Sequence, residues 1–203
     1  LWDLASFWPR AAHPFAAPCY AERAVPDLVT RVHWYASERD TCIVLAAHSQ
    51  GTVISAATLL QLKTVDDVEA AEHVAPVLPK IGFLSFGCVL RRLYARYFPA
   101  YFSTAQLDQL RDVLTLGTGP ARWRNLWRYS DYLGGQVTAG PPPLNPTTNP
   151  IEVMSTDPIW ARSGGATIWP KANQHSYYWA DPVFAPNVTA LAAMLPASSE
   201  TDA

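Results

Sequence analysis

The stretch TCIVLAAHSQGTVISAATLLQLK, residues 41–63, decides the fold class of this sequence. Residues 41–47 form an unbroken run of apolar and β-branched residues, which is typical of a central strand covered on both faces. Residues 52–63 have the length and apolar content of a buried helix of about three turns. Between the two lie only His48, Ser49, Gln50 and Gly51, which leave room for one sharp turn. A strand that turns directly into a helix predicts an α/β fold.

Predicted strands and helices alternate along the rest of the chain. Strands are predicted at residues 1–5, 81–86, 123–128 and 166–169, and helices at 27–36, 104–114 and 187–195. Loops are predicted at 6–26 and at the proline-rich 140–150, and a solvated connection at the acidic residues 66–72. This alternation predicts a mainly parallel central sheet with helices on both faces. We expect one domain over residues 1–196 and a flexible tail over 197–203.

Composition narrows the classes of protein that this chain can belong to. The 203 residues include 15 Lys+Arg and 17 Asp+Glu, a net charge of −2, which argues against a nucleic-acid partner. With 49% hydrophobic and 16% charged residues, the chain is too apolar for disorder. Its three cysteines, Cys19, Cys42 and Cys88, form neither a CxxC pair nor a disulfide framework. We therefore expect a reducing compartment and no metal or cofactor.

The ends of the sequence suggest a piece of a longer protein. The longest wholly apolar run, residues 42–47, is far too short to span a bilayer, and no signal peptide is recognisable. The chain begins without Met, on residues 1–5 that read as a strand already under way. We therefore expect an N-terminally truncated domain with parent sequence upstream.

Ser49 has the surroundings of a nucleophile. A serine hydroxyl reacts only when a tight turn projects it and a base removes its proton. Such an elbow needs small residues two before and two after the serine, and these positions hold Ala47 and Gly51. Ala47 replaces the first glycine of the G-x-S-x-G pattern but stays small. The backbone N–H of Gln50, at the start of the helix, would face a developing oxyanion.

The chain order of such a site is serine, acid, histidine. Four histidines lie before Ser49 or in the acidic connection soon after it, and only His175 lies far downstream, in a loop where its ring could reach back. Asp131 follows the strand at residues 123–128 and starts a glycine-containing loop, which makes it the favoured acid. Asp157, in a loop before a proline, is the alternative. His48 is interpreted as a packing or pocket residue.

Four segments together resemble a lipase-like α/β-hydrolase domain. They are AHSQG at 47–51, FGCVLRRLYARYFPAYF at 86–102, WRNLWRYSDYLGG at 123–135 and HSYYWADP at 175–182. The chain is similar to the soluble hydrolase portion of actinobacterial integral membrane proteins and, more distantly, to class 3 lipases. Ala47 for Gly, and Cys88 where the family often has Ser, are departures outside the proposed chemistry.

The resemblance implies a serine esterase with Ser49 as nucleophile, Asp131 as acid and His175 as base. It implies a second oxyanion donor at Ser6 or Phe7, and a small acyl ester or lipid as substrate. A membrane tether in the upstream sequence would hold the parent protein at the membrane, with this soluble domain on the cytoplasmic side.

Other interpretations of the chain stay open. Candidate substrate-binding residues are His48, Leu90 and Tyr94. The Arg-aromatic segment at 88–102 could form a lid, an interfacial patch or an ordinary loop and helix. A catalytically weak module that binds or senses partners is the alternative function, and a thioesterase or acyltransferase with the same triad is a third.

Overall fold

The structure, a computed structural model, describes residues 19, 21–138, 149–157 and 172–197. Within these ranges the longer helices are α1 (Ala21–Ser37), α2 (Gln50–Ala71), α5 (Thr104–Val113) and α6 (Phe184–Ala192). The strands are β1 (Ile43–His48), β2 (Ile81–Phe86), β3 (Trp123–Trp127) and β4 (Glu152–Met154). Short turns complete the path: 3₁₀ helices at Leu78–Lys80 and Tyr178–Ala180, a π-helix at Leu90–Tyr94, and α3 (Ala95–Tyr97) and α4 (Pro99–Phe102).

The four strands form one parallel sheet in the order β1-β2-β3-β4. The central strand β2 is buried at every position, as expected for a strand with neighbours on both sides and layers on both faces. Its side chains alternate, so that Ile81 and Phe83 enter one core and Leu84 and Phe86 the other. The predicted α/β class with a parallel sheet is therefore confirmed.

Helices cover both faces of the sheet and form two cores. The larger core includes residues of α1, α2, α5 and the π-helix together with one face of the strands. The smaller core lies under α6, which contacts β1, β2 and β3. Because all four strands are parallel, the loops at their carboxyl ends meet at one edge of the sheet. The loops that follow β1, β2 and β3 therefore lie close together.

Two predicted connections are helical in the structure over part of their length. The chain is already helical from Ala21, although the sequence predicts a loop up to Pro26; Pro26 lies inside this helix, where it leaves one intrahelical hydrogen bond unmade. Helix α2 continues to Ala71 through the predicted solvated connection. Asp66 there is buried, and its carboxylate accepts the backbone N–H groups of Val77 and Leu78 at 2.9 and 3.0 Å. An acidic cluster predicts solvent exposure, but the Asp66 carboxylate is buried and caps the start of the 3₁₀ helix at Leu78–Lys80.

Other differences concern the ends of the chain and the shortest strand. Strand β4 is not predicted from the sequence, since three residues leave no readable alternation. Helix α6 begins at Phe184, before the predicted start at 187. The predicted strands at 1–5 and 166–169 and most of the predicted tail at 197–203 lie outside the described residues. No helix in the described ranges combines the length and apolarity needed to cross a bilayer.

Candidate active site

Ser49 lies at the junction between β1 and α2, in a backbone conformation that side-chain-bearing residues seldom adopt. Its φ and ψ are 52° and −121°. Such a conformation costs about 1–3 kcal/mol and persists only when neighbours hold it. Here the Ser49 N–H donates to the Phe86 carbonyl at 3.2 Å, and the Ser49 carbonyl accepts the Thr52 N–H at 3.0 Å. The junction is thus a sharp, braced turn that projects the hydroxyl away from the strand.

The small residues of this turn lie close together, as the sequence predicts. A Cβ built on Gly51 would lie 3.8 Å from Cβ of Ala47, an ordinary van der Waals contact. The start of the helix therefore passes close to the end of the strand, with room for small side chains at both positions.

Ser49, His175 and Asp131 form one continuous chain of hydrogen bonds. The Ser49 hydroxyl lies 2.8 Å from Nε2 of His175, and Nδ1 of His175 lies 2.9 and 3.0 Å from the two carboxylate oxygens of Asp131. Because an ionised carboxylate can only accept, Nδ1 carries the ring proton and Nε2 accepts the serine proton. The structure thus brings together three side chains that lie as far as 126 residues apart in sequence.

Asp131 is almost fully buried and surrounded by donors. One carboxylate oxygen accepts the N–H groups of Leu133 and Gly134 at 2.9 and 2.7 Å, and the other accepts the Tyr178 hydroxyl at 2.8 Å. Burial alone would raise the pKa of Asp131, but the hydrogen bonds from His175, Gly134 and Tyr178 and the charge on His175 lower it below its ordinary value. The carboxylate is therefore ionised and able to stabilise a charged imidazole.

The alternative acid, Asp157, has a different contact. Its carboxylate accepts the Asn173 N–H at 3.1 Å, at the start of the loop that carries His175. This loop is strained at Gln174 and Tyr177, whose φ angles are 51° and 60°. Asp157 thus braces the loop backbone, while the ring of His175 bonds to Asp131.

Two turns of the site contain glycines where the neighbouring atoms leave no room for a side chain. Gly87, which follows β2 with φ 54°, packs under the rings of His48 and His175, where a Cβ would lie 3.0–3.1 Å from their atoms. A Cβ on Gly134 would lie 2.4 Å from the Gly87 carbonyl carbon and 2.6 Å from the Asp131 carboxylate. Both positions therefore require glycine, the second for lack of space alone.

The predicted oxyanion and substrate-binding residues have mixed outcomes. Gln50 is the first residue of α2, at the positive end of the helix dipole, while Ser6 and Phe7 lie outside the described residues. Leu90 is fully buried in the larger core, so it offers no surface to a substrate. Tyr94 is also buried, and its hydroxyl accepts the Gln50 side-chain amide at 3.4 Å.

The Arg-aromatic segment contacts both the core and the loop after β3 that carries Asp131, called here the acid loop. Arg92 donates to the backbone carbonyls of Asp131 and Gly134 at 2.6 and 2.7 Å, and Arg91 donates to the Thr138 carbonyl. Tyr94 and Phe102 fill the core. Both arginines bind carbonyl groups of the loop after β3, Arg91 as a half-buried residue and Arg92 as an exposed one.

Sequence reasoning missed Tyr178 and Arg92 as supports of the acid. Tyr178 is fully buried, with the Arg128 guanidinium 4.0 Å from its ring centroid. Burial and the neighbouring Asp131 charge raise the pKa of Tyr178, so its hydroxyl stays protonated and donates. The position of Tyr178 three residues after His175 was the available signal, but an aromatic side chain near a loop histidine does not by itself indicate a carboxylate partner.

Replacing Tyr178 by Phe is expected to lower the free energy of unfolding by about 1–2 kcal/mol, because Asp131 loses one donor while the ring still packs under Arg128. The pKa of Asp131 should also rise. Urea unfolding measures the stability change. Tyr129→Phe is the matched control, since Tyr129 is 67% exposed. Equal stability of the two variants would show that the Tyr178 hydroxyl does not support the carboxylate.

No cluster of three or more His, Cys, Asp or Glu side chains that could hold a metal ion occurs among residues 19, 21–138, 149–157 and 172–197. The chemistry that Ser49, His175 and Asp131 can perform is proton transfer and nucleophilic attack by the serine.

No protein-family model, no curated protein and no solved structure matches this chain.

Proposed function

We propose that this protein is a serine hydrolase that cleaves carboxylic esters through an acyl-enzyme on Ser49. One observation carries the proposal: the unbroken hydrogen-bond chain from the Ser49 hydroxyl through His175 to the ionised Asp131. A buried aspartate, a correctly protonated imidazole and a serine on a strained turn are the three requirements of this chemistry.

The proposed reaction begins with attack of Ser49 Oγ on the ester carbonyl carbon, while Nε2 of His175 takes the hydroxyl proton. The carbonyl oxygen becomes an oxyanion near the N-terminus of α2, where the backbone N–H of Gln50 is the candidate donor. Collapse of the intermediate breaks the bond to the alcohol oxygen, which receives the proton from His175. Water then attacks the acyl-enzyme with His175 as base, and the acid is released as Ser49 recovers its proton.

Asp131 supports both halves of this cycle. Its carboxylate keeps the proton of the neutral ring on Nδ1, which leaves Nε2 as the base. When the ring becomes positively charged, the buried carboxylate offsets that charge at hydrogen-bond distance. Because hydrogen bonds and the neighbouring charge lower the pKa of Asp131, its carboxylate is ionised and available for this role at neutral pH.

The arrangement of the elements supports a lipase-like α/β-hydrolase fold as part of the same proposal. The serine follows a strand and begins a helix, the acid follows β3, and the histidine precedes the last described helix. This is the chain order of that fold. Acyl esters, including lipids, are the proposed substrates.

A fluorophosphonate probe tests the proposal, because it reacts only with an activated serine. We expect the probe to label the intact protein at Ser49, as located by peptide mass spectrometry, and Ser49→Ala to abolish labelling. Ser37→Ala is the matched control: Ser37 also lies near a histidine, with 3.5 Å between its hydroxyl and Nδ1 of His33, but it donates to a carbonyl of its own helix. Labelling should survive that change.

An intact, folded protein that the probe leaves unlabelled would contradict the proposal and favour a binding or sensing module. If labelling succeeds, the rates of hydrolysis of an oxygen ester and a thioester of equal acyl length distinguish an esterase from a thioesterase.

A further inference from the structure

His48 makes a specific contact with the backbone of the proposed base. Its Nε2 lies 2.8 Å from the carbonyl oxygen of His175. A carbonyl oxygen can only accept, so the proton of the neutral His48 ring must lie on Nε2. His48 therefore acts as a donor toward the main chain of His175.

The ring of His48 is held in this orientation from several sides. It stacks on Phe86 with ring centroids 5.4 Å apart and an interplanar angle of 24°. It packs over Gly87, where a Cβ would come within 3.0 Å of two ring atoms. The His175 ring lies beside it, with centroids 4.7 Å apart. A side chain wedged in this way is a fixed donor.

The loop that carries His175 depends on such contacts from outside. Its backbone is strained on both sides of His175, at Gln174 and Tyr177. Asp157 holds the loop at Asn173, and Arg128 donates to the Ser176 carbonyl at 3.3 Å. The bond from His48 acts on the backbone of His175 itself.

We propose that His48 is a positioning residue that fixes the His175 main chain and so sets Nε2 of His175 against the Ser49 hydroxyl. This inference deepens the proposed function and rests on it. His48 and Ser49 are adjacent at the end of β1, so the bond ties the nucleophile and its base to the same strand end. This role replaces the substrate-binding role that the sequence suggests for His48.

The charge state of His48 fits the role. Burial lowers the pKa of His48; the hydrogen bond to the His175 carbonyl and the Asp131 charge oppose this shift, and the neighbouring His175 ring adds to it. The ring of Tyr178, whose hydroxyl is uncharged, also lies near the His48 ring. A neutral His48 places no positive charge beside the imidazolium that His175 becomes during the reaction.

Two variants separate the donor from the rest of the side chain. Glutamine carries its amide nitrogen the same number of bonds from Cα as Nε2 of histidine, so His48→Gln keeps a donor. His48→Met fills similar space without one. We expect His48→Met to lower kcat by about 10- to 100-fold with KM unchanged, as for a misplaced catalytic group, and His48→Gln to recover most of the loss.

Nuclear magnetic resonance of protein with ¹⁵N-labelled histidine tests the geometry without turnover. We expect His48 as the neutral Nε2–H form. We also expect the downfield proton on Nδ1 of His175 to persist in His48→Gln and to be lost or shifted in His48→Met. Thermal unfolding of both variants checks that they fold.

Equal losses of kcat in the two variants, an unchanged kcat in His48→Met, or protonation of His48 on Nδ1 alone would overturn the inference. A rise in KM with unchanged kcat in His48→Met would overturn the inference and indicate that His48 binds substrate. If the wild-type protein is not labelled at Ser49, the proposed function fails, whereas the resonance of His175 in the two variants still decides whether His48 positions that residue.

Discussion

Replacing Asp131 by Asn is expected to lower kcat for ester hydrolysis by about 10⁴-fold while the chain stays folded. The side-chain oxygen of the introduced asparagine can still accept the N–H groups of Leu133 and Gly134, so the loop keeps its contacts. The amide N–H₂ of that asparagine, however, presents a donor to Nδ1 of His175. The ring then carries its proton on Nε2, which can no longer accept the proton of Ser49. Steady-state kinetics with a short-chain ester measures the loss.

Asp157→Asn is the control for this prediction, because Asp157 is the alternative acid in the sequence. An asparagine oxygen can still accept the Asn173 N–H, so we expect a much smaller change in kcat. A larger loss in Asp157→Asn than in Asp131→Asn would show that the wrong carboxylate has been assigned.

The Asp131→Asn variant also has a stability signature that depends on pH. The pKa of Asp131 is lower in the folded state than in the unfolded chain, so ionisation of Asp131 favours folding. This contribution is fully present above the unfolded-state pKa of about 3.9 and is lost as the pH falls through the folded-state pKa. The stability difference between wild type and Asp131→Asn in urea should therefore shrink below about pH 4. A difference that grows on acidification would contradict the lowered pKa.

Gly134→Ala is expected to damage both the fold and the site. The new Cβ would lie 2.4 and 2.7 Å from Gly87 backbone atoms and 2.6 Å from the Asp131 carboxylate, so backbone must move. Overpacking of this kind costs about 1–3 kcal/mol or more. Gly87 packs under the ring of His175, and Asp131 is hydrogen-bonded to that ring. Because a shift of either residue would misplace His175, we also expect kcat to fall by about 100-fold. Calorimetry should show a lowered Tm, by roughly 2–4 °C for each kcal/mol.

Gly82→Ala is the matched control for the glycine prediction. Gly82 is also buried, in β2, but a Cβ there would lie 3.6–3.8 Å from its neighbours, at ordinary contact distance. Its Tm and kcat should stay close to those of wild type. If Gly134→Ala and Gly82→Ala behave alike, the close approach of the acid loop to Gly87 does not matter for stability or geometry.

Much of the candidate site could be predicted from local patterns. The strand before Ser49 and the helix after it identify the serine, and these are short-range properties of the chain. His175 follows from chain order, because it is the one histidine far downstream. Asp131 and Asp157 could not be separated with the same security, since both lie in loops between predicted elements. Only the contact with the ring of His175 distinguishes them.

The supports of the site could not be predicted. Tyr178 donates to Asp131 and Arg92 donates to carbonyls of its loop, across 47 and 39 residues of sequence. Neither pairing leaves a trace in hydrophobic periodicity, because the partners lie on different elements. Arg92 is an exposed cation, as the sequence suggests, but its guanidinium also donates to two carbonyls of the loop that carries Asp131.

By itself the sequence determined strands β1, β2 and β3, the presence of helices α2 and α5 between them, and the sharp turn at Ser49. These features depend on side-chain size, apolar spacing and backbone preference over a few neighbouring residues. The tertiary structure alone decided that Asp131 rather than Asp157 contacts His175, that Asp66 is buried as a cap, and that His48 bonds to the His175 backbone. The reason is that the register of the parallel strands brings their carboxyl-end loops together, and the distances across those loops depend on how the whole sheet and its helices pack.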